Sequence, residues 1–141
     1  MKKKSITMHS LLAALLMLMG VPAVGATRDH KVVIEVTSSD PKQWDQLMNN
    51  VENLRGALGD KTLVEVVALG EGLKLLEKSD EPIVARMKKS SAAGVKFAAC
   101  ENTMKKQNVT KAQLLDFSMT VDSGVAEVIR KQEEHWAYLR N

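Results

Sequence analysis

The amino-acid sequence predicts an α/β fold: one three-layer α/β/α domain around a mostly parallel sheet of about five strands. The first observation is a series of short apolar runs, rich in β-branched residues, typical of strands that are covered on both faces. The second is that helical patterns with capping residues separate these runs. Strands that alternate with helices form βαβ units, whose crossovers place helices on both faces of a parallel sheet. No internal repeat, linker or low-complexity segment interrupts the pattern, so we expect a single domain.

The strand pattern occurs five times along the chain. The run KVVIEVT is the clearest case, since five of its seven residues are β-branched. The run TLVEVVAL has the same buried character, and the three later runs are shorter. The five predicted strands are residues 31–37, 62–69, 95–99, 117–121 and 136–139.

The first two helices carry start and stop signals. Residues 37–41 offer several N-cap candidates and a proline for the first turn, and Gly59 ends the helix. Between them, the apolar residues recur every three or four positions and form one stripe. The stripe consists of Trp44, Leu47, Met48, Val51, Leu54 and Leu58. After the second strand, a short helical turn at residues 73–76 precedes a helix that opens at residues 80–82 and stops at Gly94.

The last two helices are marked in the same way. One begins directly behind Cys100 and ends at Asn108, a candidate left-handed cap. Thr110 and Gln113 then fit a capping box. Residues 122–124 cap the last long helix, and the residues on one of its sides are Val125, Val128, Ile129 and Gln132.

Residues 1–26 have the pattern of a secretory signal peptide. A basic start precedes an apolar run at residues 11–19, and small residues favour cleavage after Ala26, with Ala23 as the second choice. The apolar run is shorter than a membrane span of about 20 residues, and no cysteine follows it for a lipid anchor. We therefore expect residues 27–141 to form the mature domain, exported to the periplasm or outside the cell and not attached to the membrane.

The charge balance argues against nucleic acid as a partner. The full chain has 20 Lys and Arg residues and 17 Asp and Glu residues, a net charge of +3. Three of the basic residues and none of the acidic ones lie in the signal segment, so the mature domain has 17 of each sign. Aromatic residues are few and do not alternate with basic residues as in proteins that stack bases. We expect no nucleic-acid partner.

Cys100 is the only cysteine of the chain, and we expect the chemistry to centre on it. It follows a short apolar strand and precedes a helix start, in the run VKFAACENTMKK. Free N–H groups and the helix dipole there favour the thiolate, whereas the carboxylate of Glu101 disfavours it. The alternative is a buried cysteine that packs as a small apolar side chain. A single cysteine cannot form an internal disulfide, so in an oxidising compartment its thiol is either buried or functional.

Four loops are expected to meet at the carboxyl ends of the strands, where parallel sheets bind ligands. Each loop leads into a helix start whose free N–H groups suit an anionic sulfur or a small anion. Cys100 is the candidate catalytic residue. The candidate binding residues are Ser38, Ser39, Gly70, Gly72, Glu101, Asn102, Thr103, Ser123 and Gly124. For the three glycines, a purely structural role in turns is the favoured interpretation.

The other residues do not form a second convincing site. His30 and His135 lie near the two ends of the mature domain, and with Cys100 they lack metal-ligand spacing. Gly70 and Gly72 alone do not make a dinucleotide-binding fingerprint. We therefore expect no metal and no cofactor, while a Cys–His nucleophile pair stays open because such partners can be distant in sequence.

Along its whole mature length, the chain resembles the DsrE/DsrF-like family, small α/β proteins linked to sulfur relay. The resemblance rests on the runs KVVIEV, VEVVALGEGLKLL, VKFAACENTMKK and VDSGVAEVIRKQEEHWAYLR, of which the last two are the more specific. In sulfur-relay members a cysteine in the loop after a strand carries a persulfide, and Cys100 matches that position. The resemblance also implies assembly as a trimer or hexamer. Because the relay proteins are cytoplasmic, the expected export places this chain closest to a less characterised branch.

Two functions from different classes follow. The leading hypothesis is a periplasmic sulfur carrier or sulfurtransferase, in which Cys100 accepts a sulfane sulfur as a persulfide and passes it to another thiol. Its partner would be a thiol or a sulfur-donor protein. The alternative is a non-catalytic oligomeric binding module in which Cys100 is structural. A redox sensor that acts through an intermolecular disulfide at Cys100 ranks third.

Overall fold

The computed structural model describes residues 30–141 and shows an α/β fold. The signal peptide and cleavage site expected from the sequence lie outside these residues. Five strands form one sheet, and every pair of neighbours in it is parallel. The α/β class and the five-stranded sheet are therefore confirmed. The strands are β1 Lys31–Val36, β2 Leu63–Ala68, β3 Lys96–Cys100, β4 Met119–Val121 and β5 Ala137–Arg140.

Four α-helices connect the strands, with two short 3₁₀ segments between them. The helices are α1 Pro41–Leu58, α2 Pro82–Ala92, α3 Glu101–Gln107 and α4 Gly124–Glu133. The 3₁₀ segments are Gly70–Leu76, which precedes α2, and Lys111–Gln113, which follows α3. Among residues 30–141, none of the helices combines the length and the apolar character that a membrane crossing requires.

The strand order β4-β3-β2-β1-β5 divides the helices between two layers. Strands β1 to β4 are consecutive neighbours, and the helices that connect them, α1, α2 and α3, pack their apolar residues on one face of the sheet. The last connection runs from one edge strand to the other, so α4 crosses the opposite face. There Val128 joins Val33, Val67 and Ala98 in a second, smaller core. The predicted three layers are present but unequal, because one outer layer is a single helix.

Capping residues set the ends of several helices. The carboxylate of Asp40 accepts a hydrogen bond from Lys42 N–H over 3.0 Å, and Pro41 takes the first position of α1. The same helix ends at Gly59, whose φ of 96° suits a residue without a side chain. Asn108 ends α3 with φ of 57°, the left-handed conformation expected from the sequence.

The segment after α3 is less helical than its sequence suggests. Thr110 and Gln113 form the predicted capping box, but the helix that begins after Thr110 is only the three-residue 3₁₀ segment Lys111–Gln113. Beyond them, Leu115 N–H donates to Leu76 O over 2.8 Å. The Leu115 N–H therefore bonds to the 3₁₀ segment before α2. Because the same N–H cannot also donate to a carbonyl one turn earlier in its own helix, the helix ends here.

Strand β4 is shorter than predicted for a similar reason. Ser118 N–H turns back to donate to Leu115 O over 2.8 Å, so the ladder begins only at Met119. Phe117 lies in this turn and packs edge-on against Phe97 of β3, with 5.7 Å between the ring centroids. The apolar character that suggested a strand residue at position 117 therefore reflects core packing from a turn.

The face covered by α4 also holds most of the exposed apolar side chains. Because Met119 pairs with Ala98 and Tyr138 pairs with Val33, both side chains lie on this face of the parallel sheet. Within residues 30–141, five of the six large apolar side chains that are exposed belong to this face or to α4 itself. They are Leu63, Met119, Val125, Ile129 and Tyr138, and we call them the α4-face patch.

Candidate functional site

Cys100 lies at the carboxyl edge of the sheet, where a buried strand meets a helix start. It is the last residue of β3 and the N-cap of α3. Its register partner on β4 is Val121, directly before the loop that leads into α4. The side chain is only 4% exposed. The thiol is therefore placed at the edge, as expected, but it is largely covered.

The start of α4 covers the thiol on one side. Gly124 N–H donates a hydrogen bond to Cys100 Sγ over 3.1 Å. A Cβ at position 124 would lie 3.2 Å from the Cβ atoms of Cys100 and Leu69, so only glycine leaves room for this approach. Ser123 is the N-cap of α4, and its hydroxyl accepts from Ala126 N–H over 3.4 Å. The missing side chain at Gly124 thus allows a helix N–H group to reach the sulfur.

The first turn of α3 and the loop after β2 lie on the other side. The Thr103 hydroxyl accepts a hydrogen bond from Gly70 N–H over 3.1 Å. Gln107, one turn further along α3, donates its side-chain amide to Gly70 O over 3.0 Å. Gly70 has φ of 57°, a left-handed conformation that glycine adopts without strain. Both polar groups of Gly70 are therefore held by α3 beside Cys100.

Opposing effects act on the ionisation of Cys100. Burial raises the pKa of the thiol, but hydrogen-bond donors lower it by more. The Gly124 N–H has the largest lowering effect, followed by the Thr103 hydroxyl and the backbone N–H groups of Thr103 and Asn102. The net result is a pKa below the ordinary value of a cysteine. The sulfur thus receives the first N–H of α4, while its side chain makes no capping hydrogen bond to α3.

The carboxylate of Glu101 is engaged away from the thiol. The Thr120 hydroxyl donates to it over 2.7 Å, and Lys111 Nζ lies 3.7 Å from it. The sequence analysis expected its negative charge to raise the pKa of Cys100. Glu101 is not among the principal influences on that pKa, because its charge is shared with these two partners.

The predicted residues after β1 lie further from the thiol. Strand β2 separates β1 from β3, a distance of about 10 Å at the usual strand spacing. The contacts of Ser38 are local: its hydroxyl accepts from Asp40 N–H over 3.1 Å, and its carbonyl accepts from Trp44 Nε1 over 2.8 Å. Ser38 and Ser39 therefore shape the loop that begins α1, two strands from Cys100.

Gly72 has a packing role in the 3₁₀ segment before α2. A Cβ at this position would overlap Val36 O and lie 2.6 Å from the Val36 carbonyl carbon. The segment can therefore rest on the end of β1 only if position 72 has no side chain. Of the predicted binding residues, the structure brings Gly70, Asn102, Thr103 and Gly124 to Cys100, with Ser123 one residue away.

Gln107 and Thr120 support the site but were not singled out from the sequence. Gln107 carries a local signal, since it follows Thr103 by four residues and so lies on the same side of α3. Thr120 carries none, because its contact with Glu101 depends on the pairing of β3 with β4. Among residues 30–141, no three His, Cys, Asp or Glu side chains are grouped as a metal site would require.

Comparison with known proteins places this geometry in a family. The profile of the DsrE/DsrF-like family matches residues 30–140. Among solved structures, the chain is similar to a protein of unknown function from Methanobacterium thermoautotrophicum, with 33% identity and a TM-score of 0.76. That match covers 80% of this chain and 100% of the other. A search of curated proteins gave no match.

Two more distant structures share the fold. A conserved protein of unknown function from Bacteroides thetaiotaomicron is 14% identical with a TM-score of 0.65, over 82% of this chain and 98% of the other. The ychN protein from E. coli is 12% identical with a TM-score of 0.66, over 79% and 99%. At these identities the likeness concerns the fold alone. The match of the family profile to almost the whole described domain, together with the 33% identical relative, shows that this chain belongs to the DsrE/DsrF-like family.

Proposed function

We propose that this protein is a sulfur carrier or sulfurtransferase that holds a sulfane sulfur on Cys100. The observation that carries the proposal is the hydrogen bond of 3.1 Å from Gly124 N–H to Cys100 Sγ, at the carboxyl edge of the sheet. The donors around the sulfur lower its pKa, and a thiolate is the form that attacks a sulfane sulfur. Membership of a family linked to sulfur relay supports the same chemistry.

The reaction needs only one cysteine and no external oxidant. The Cys100 thiolate attacks the outer sulfur of a donor persulfide, a new S–S bond forms, and the donor leaves as a thiolate as its own S–S bond breaks. An acceptor thiolate then attacks the outer sulfur on Cys100, which leaves as a thiolate in turn. A low pKa makes Cys100 the better leaving group in this second step.

In this proposal the mature domain acts in the periplasm as a trimer or hexamer and exchanges sulfur with a thiol or sulfur-donor protein. The signal pattern of residues 1–26 supports export. The α4-face patch supports self-association, because three large apolar side chains of the sheet and two of α4 itself are exposed there. Size-exclusion chromatography with light scattering tests the assembly state, and cell fractionation tests the location.

Intact-mass analysis tests the sulfur carrier directly. The folded protein is incubated with a small persulfide donor, and we expect a mass gain of one sulfur that reducing agent reverses. The matched control is Cys100→Ser, which keeps the size of the side chain and should show no gain. Absence of the adduct on the wild-type protein, under conditions that alkylate Cys100, would contradict the proposal.

The second candidate is a non-catalytic oligomeric binding module in which Cys100 is structural. The observation that favours it is the 4% exposure of the side chain. In that case neither the sulfur donor nor an alkylating reagent reacts with the folded protein, whereas both react after unfolding. Comparing the two reactions in the folded and unfolded states therefore separates the two functions.

A further inference from the structure

The start of α4 is the part of the fold that covers the Cys100 sulfur. Gly124 N–H lies 3.1 Å from the sulfur, and the side chain of Cys100 is largely buried. The other side of the sulfur is closed by α3, which follows Cys100 directly and is tied to Gly70 by two hydrogen bonds. Access to the thiol therefore depends on how firmly the start of α4 is held.

Apolar packing alone holds α4 weakly. Gly124 and Val128 are its buried residues, whereas Val125 and Ile129 of the same helix are exposed. The core beneath α4 is several times smaller than the core on the other face of the sheet. Because apolar stabilisation grows with the area removed from water, polar contacts must supply much of the attachment of this helix.

Glu127 lies at the centre of a chain of opposite charges that supplies such contacts. Its side chain is only 12% exposed, and each of its two carboxylate oxygens contacts a different cation. Oε2 accepts a hydrogen bond from Arg130 over 2.8 Å, and Oε1 lies 3.4 Å from Lys131 Nζ. Replacing this one carboxylate therefore disturbs both cations.

The two cations connect α4 to different parts of the fold. Arg130 also donates to Asp122 Oδ1 over 2.6 Å, in the loop directly before the N-cap of α4. Lys131 Nζ lies 3.5 Å from Glu65 Oε2 on β2 and 4.7 Å from the centre of the Trp136 ring. The carboxylate of Glu65 is buried in the sheet. Because a buried carboxylate that loses its cation is strongly destabilising, Lys131 is held at this point of the sheet.

We propose that Glu127 is a positioning residue that holds the start of α4 over Cys100 and so limits access to the sulfur. Through Arg130 it fixes the loop that leads to Gly124, and through Lys131 it anchors the helix to β2. The inference rests on the proposed function only in that both concern the same thiol. Its effect is measurable as access to that thiol, with no sulfur donor present.

The test is the rate at which iodoacetamide alkylates Cys100 in the folded wild type and in Glu127→Gln. Glutamine keeps the size of the side chain but removes the charge that both cations share. The rates are compared above the alkylation midpoint, where the thiol is ionised and a change in its pKa no longer alters the rate. Because the reagent is uncharged, the lost carboxylate does not affect its approach. We expect the rate to rise about fivefold, the effect of one weakened ion pair on an opening equilibrium.

Arg86→Met is the matched control, because it breaks a similar charged contact on the other face of the sheet. Arg86 of α2 donates to the two carboxylate oxygens of Glu52 on α1 over 3.1 and 3.0 Å. This variant should lower the urea midpoint of unfolding and leave the alkylation rate unchanged. Low urea concentrations separate local from global opening. Movement of the start of α4 exposes little surface, so the alkylation rate of Glu127→Gln should hardly depend on urea.

A Glu127→Gln rate equal to that of the wild type would overturn the inference. An Arg86→Met rate raised to the same extent would also overturn it, as would a rate that rises with urea as steeply as global unfolding, because either result assigns access to overall stability. If Glu127→Gln does not fold, Arg130→Met takes its place. It releases the loop before α4 but leaves the contact with β2, and an unchanged rate there would again overturn the inference. Failure of the sulfur-carrier function looks different: the rates change as expected, but the wild-type protein gains no sulfur from the persulfide donor.

Discussion

Replacing Gly124 with alanine tests whether the start of α4 controls the ionisation of Cys100. The added Cβ would lie 3.2 Å from the Cβ atoms of Cys100 and Leu69, and 3.3 Å from Cγ1 of Val67. Carbon atoms at rest are separated by roughly 3.5–4.0 Å, so α4 must move away from β2 and β3 by a few tenths of an ångström. The Gly124 N–H, which lies 3.1 Å from the sulfur, moves with the helix.

This movement has two measurable effects. Overpacking costs about 1–3 kcal/mol, and the higher helix propensity of alanine returns up to about 1 kcal/mol, so we expect the free energy of unfolding to fall by about 1 kcal/mol. A hydrogen bond to a charged group contributes about 1.5–3 kcal/mol. Losing about half of that from Gly124 raises the pKa of Cys100 by about one unit, since one unit corresponds to about 1.4 kcal/mol.

Both effects are measured on the same protein, by pH-dependent alkylation of Cys100 and by urea denaturation. Gly56→Ala is the matched control, because a Cβ there has no neighbour within 4 Å on the exposed side of α1. It should stabilise the protein by about 0.5–1 kcal/mol and leave the alkylation midpoint unchanged. A Gly124→Ala protein that loses stability while its alkylation midpoint stays at the wild-type value would refute the reasoning.

Two further predictions concern the fold around the site. Gly72→Ala should destabilise the protein by about 3 kcal/mol or more in urea denaturation, because its Cβ would overlap Val36 O and only a backbone shift can relieve the clash; a loss below about 1 kcal/mol would contradict this. Burial raises the pKa of Glu65, although Lys131 opposes the effect from 3.5 Å. A carboxyl whose pKa is raised by folding binds its proton more tightly in the folded state, so the contribution of Glu65 to stability is fully present below the ordinary pKa of about 4.3 and is lost as pH rises through the folded value. Glu65→Gln should remove this fall in urea midpoints measured across that pH range, and an unchanged pH dependence would exclude Glu65 as its source.

The position of Cys100 could be predicted because its signals are local. An apolar run followed by polar, helix-starting residues identifies the end of a strand, and alternation with helices places all such ends at one edge of the sheet. The direction of the pKa shift could not be predicted, since it depends on which opposing group is nearer. Glu101 is adjacent in sequence but engaged with Thr120, whereas Gly124 is 24 residues away and donates directly to the sulfur.

Segment boundaries show the same division between local and long-range effects. The caps at Asp40 and Asn108 were predictable because each satisfies backbone groups within a few residues of itself. The short length of the helix after Thr110 was not predictable. Leu115 N–H donates to a carbonyl on a segment almost forty residues earlier instead of continuing the helix. A local pattern cannot reveal a competing hydrogen-bond partner that only the folded chain supplies.

The sequence by itself determined that this chain forms a parallel α/β domain with a single thiol at the end of a strand, because periodicity and capping act over a few residues. The tertiary structure decided which of the four loops at that edge meet the thiol. Strand order places β2 and β4 beside β3 and leaves β1 one strand further away, so Gly70 and Gly124 contact the site of Cys100 while Ser38 does not. That order is set by packing across the whole sheet, and no short stretch of the chain encodes it.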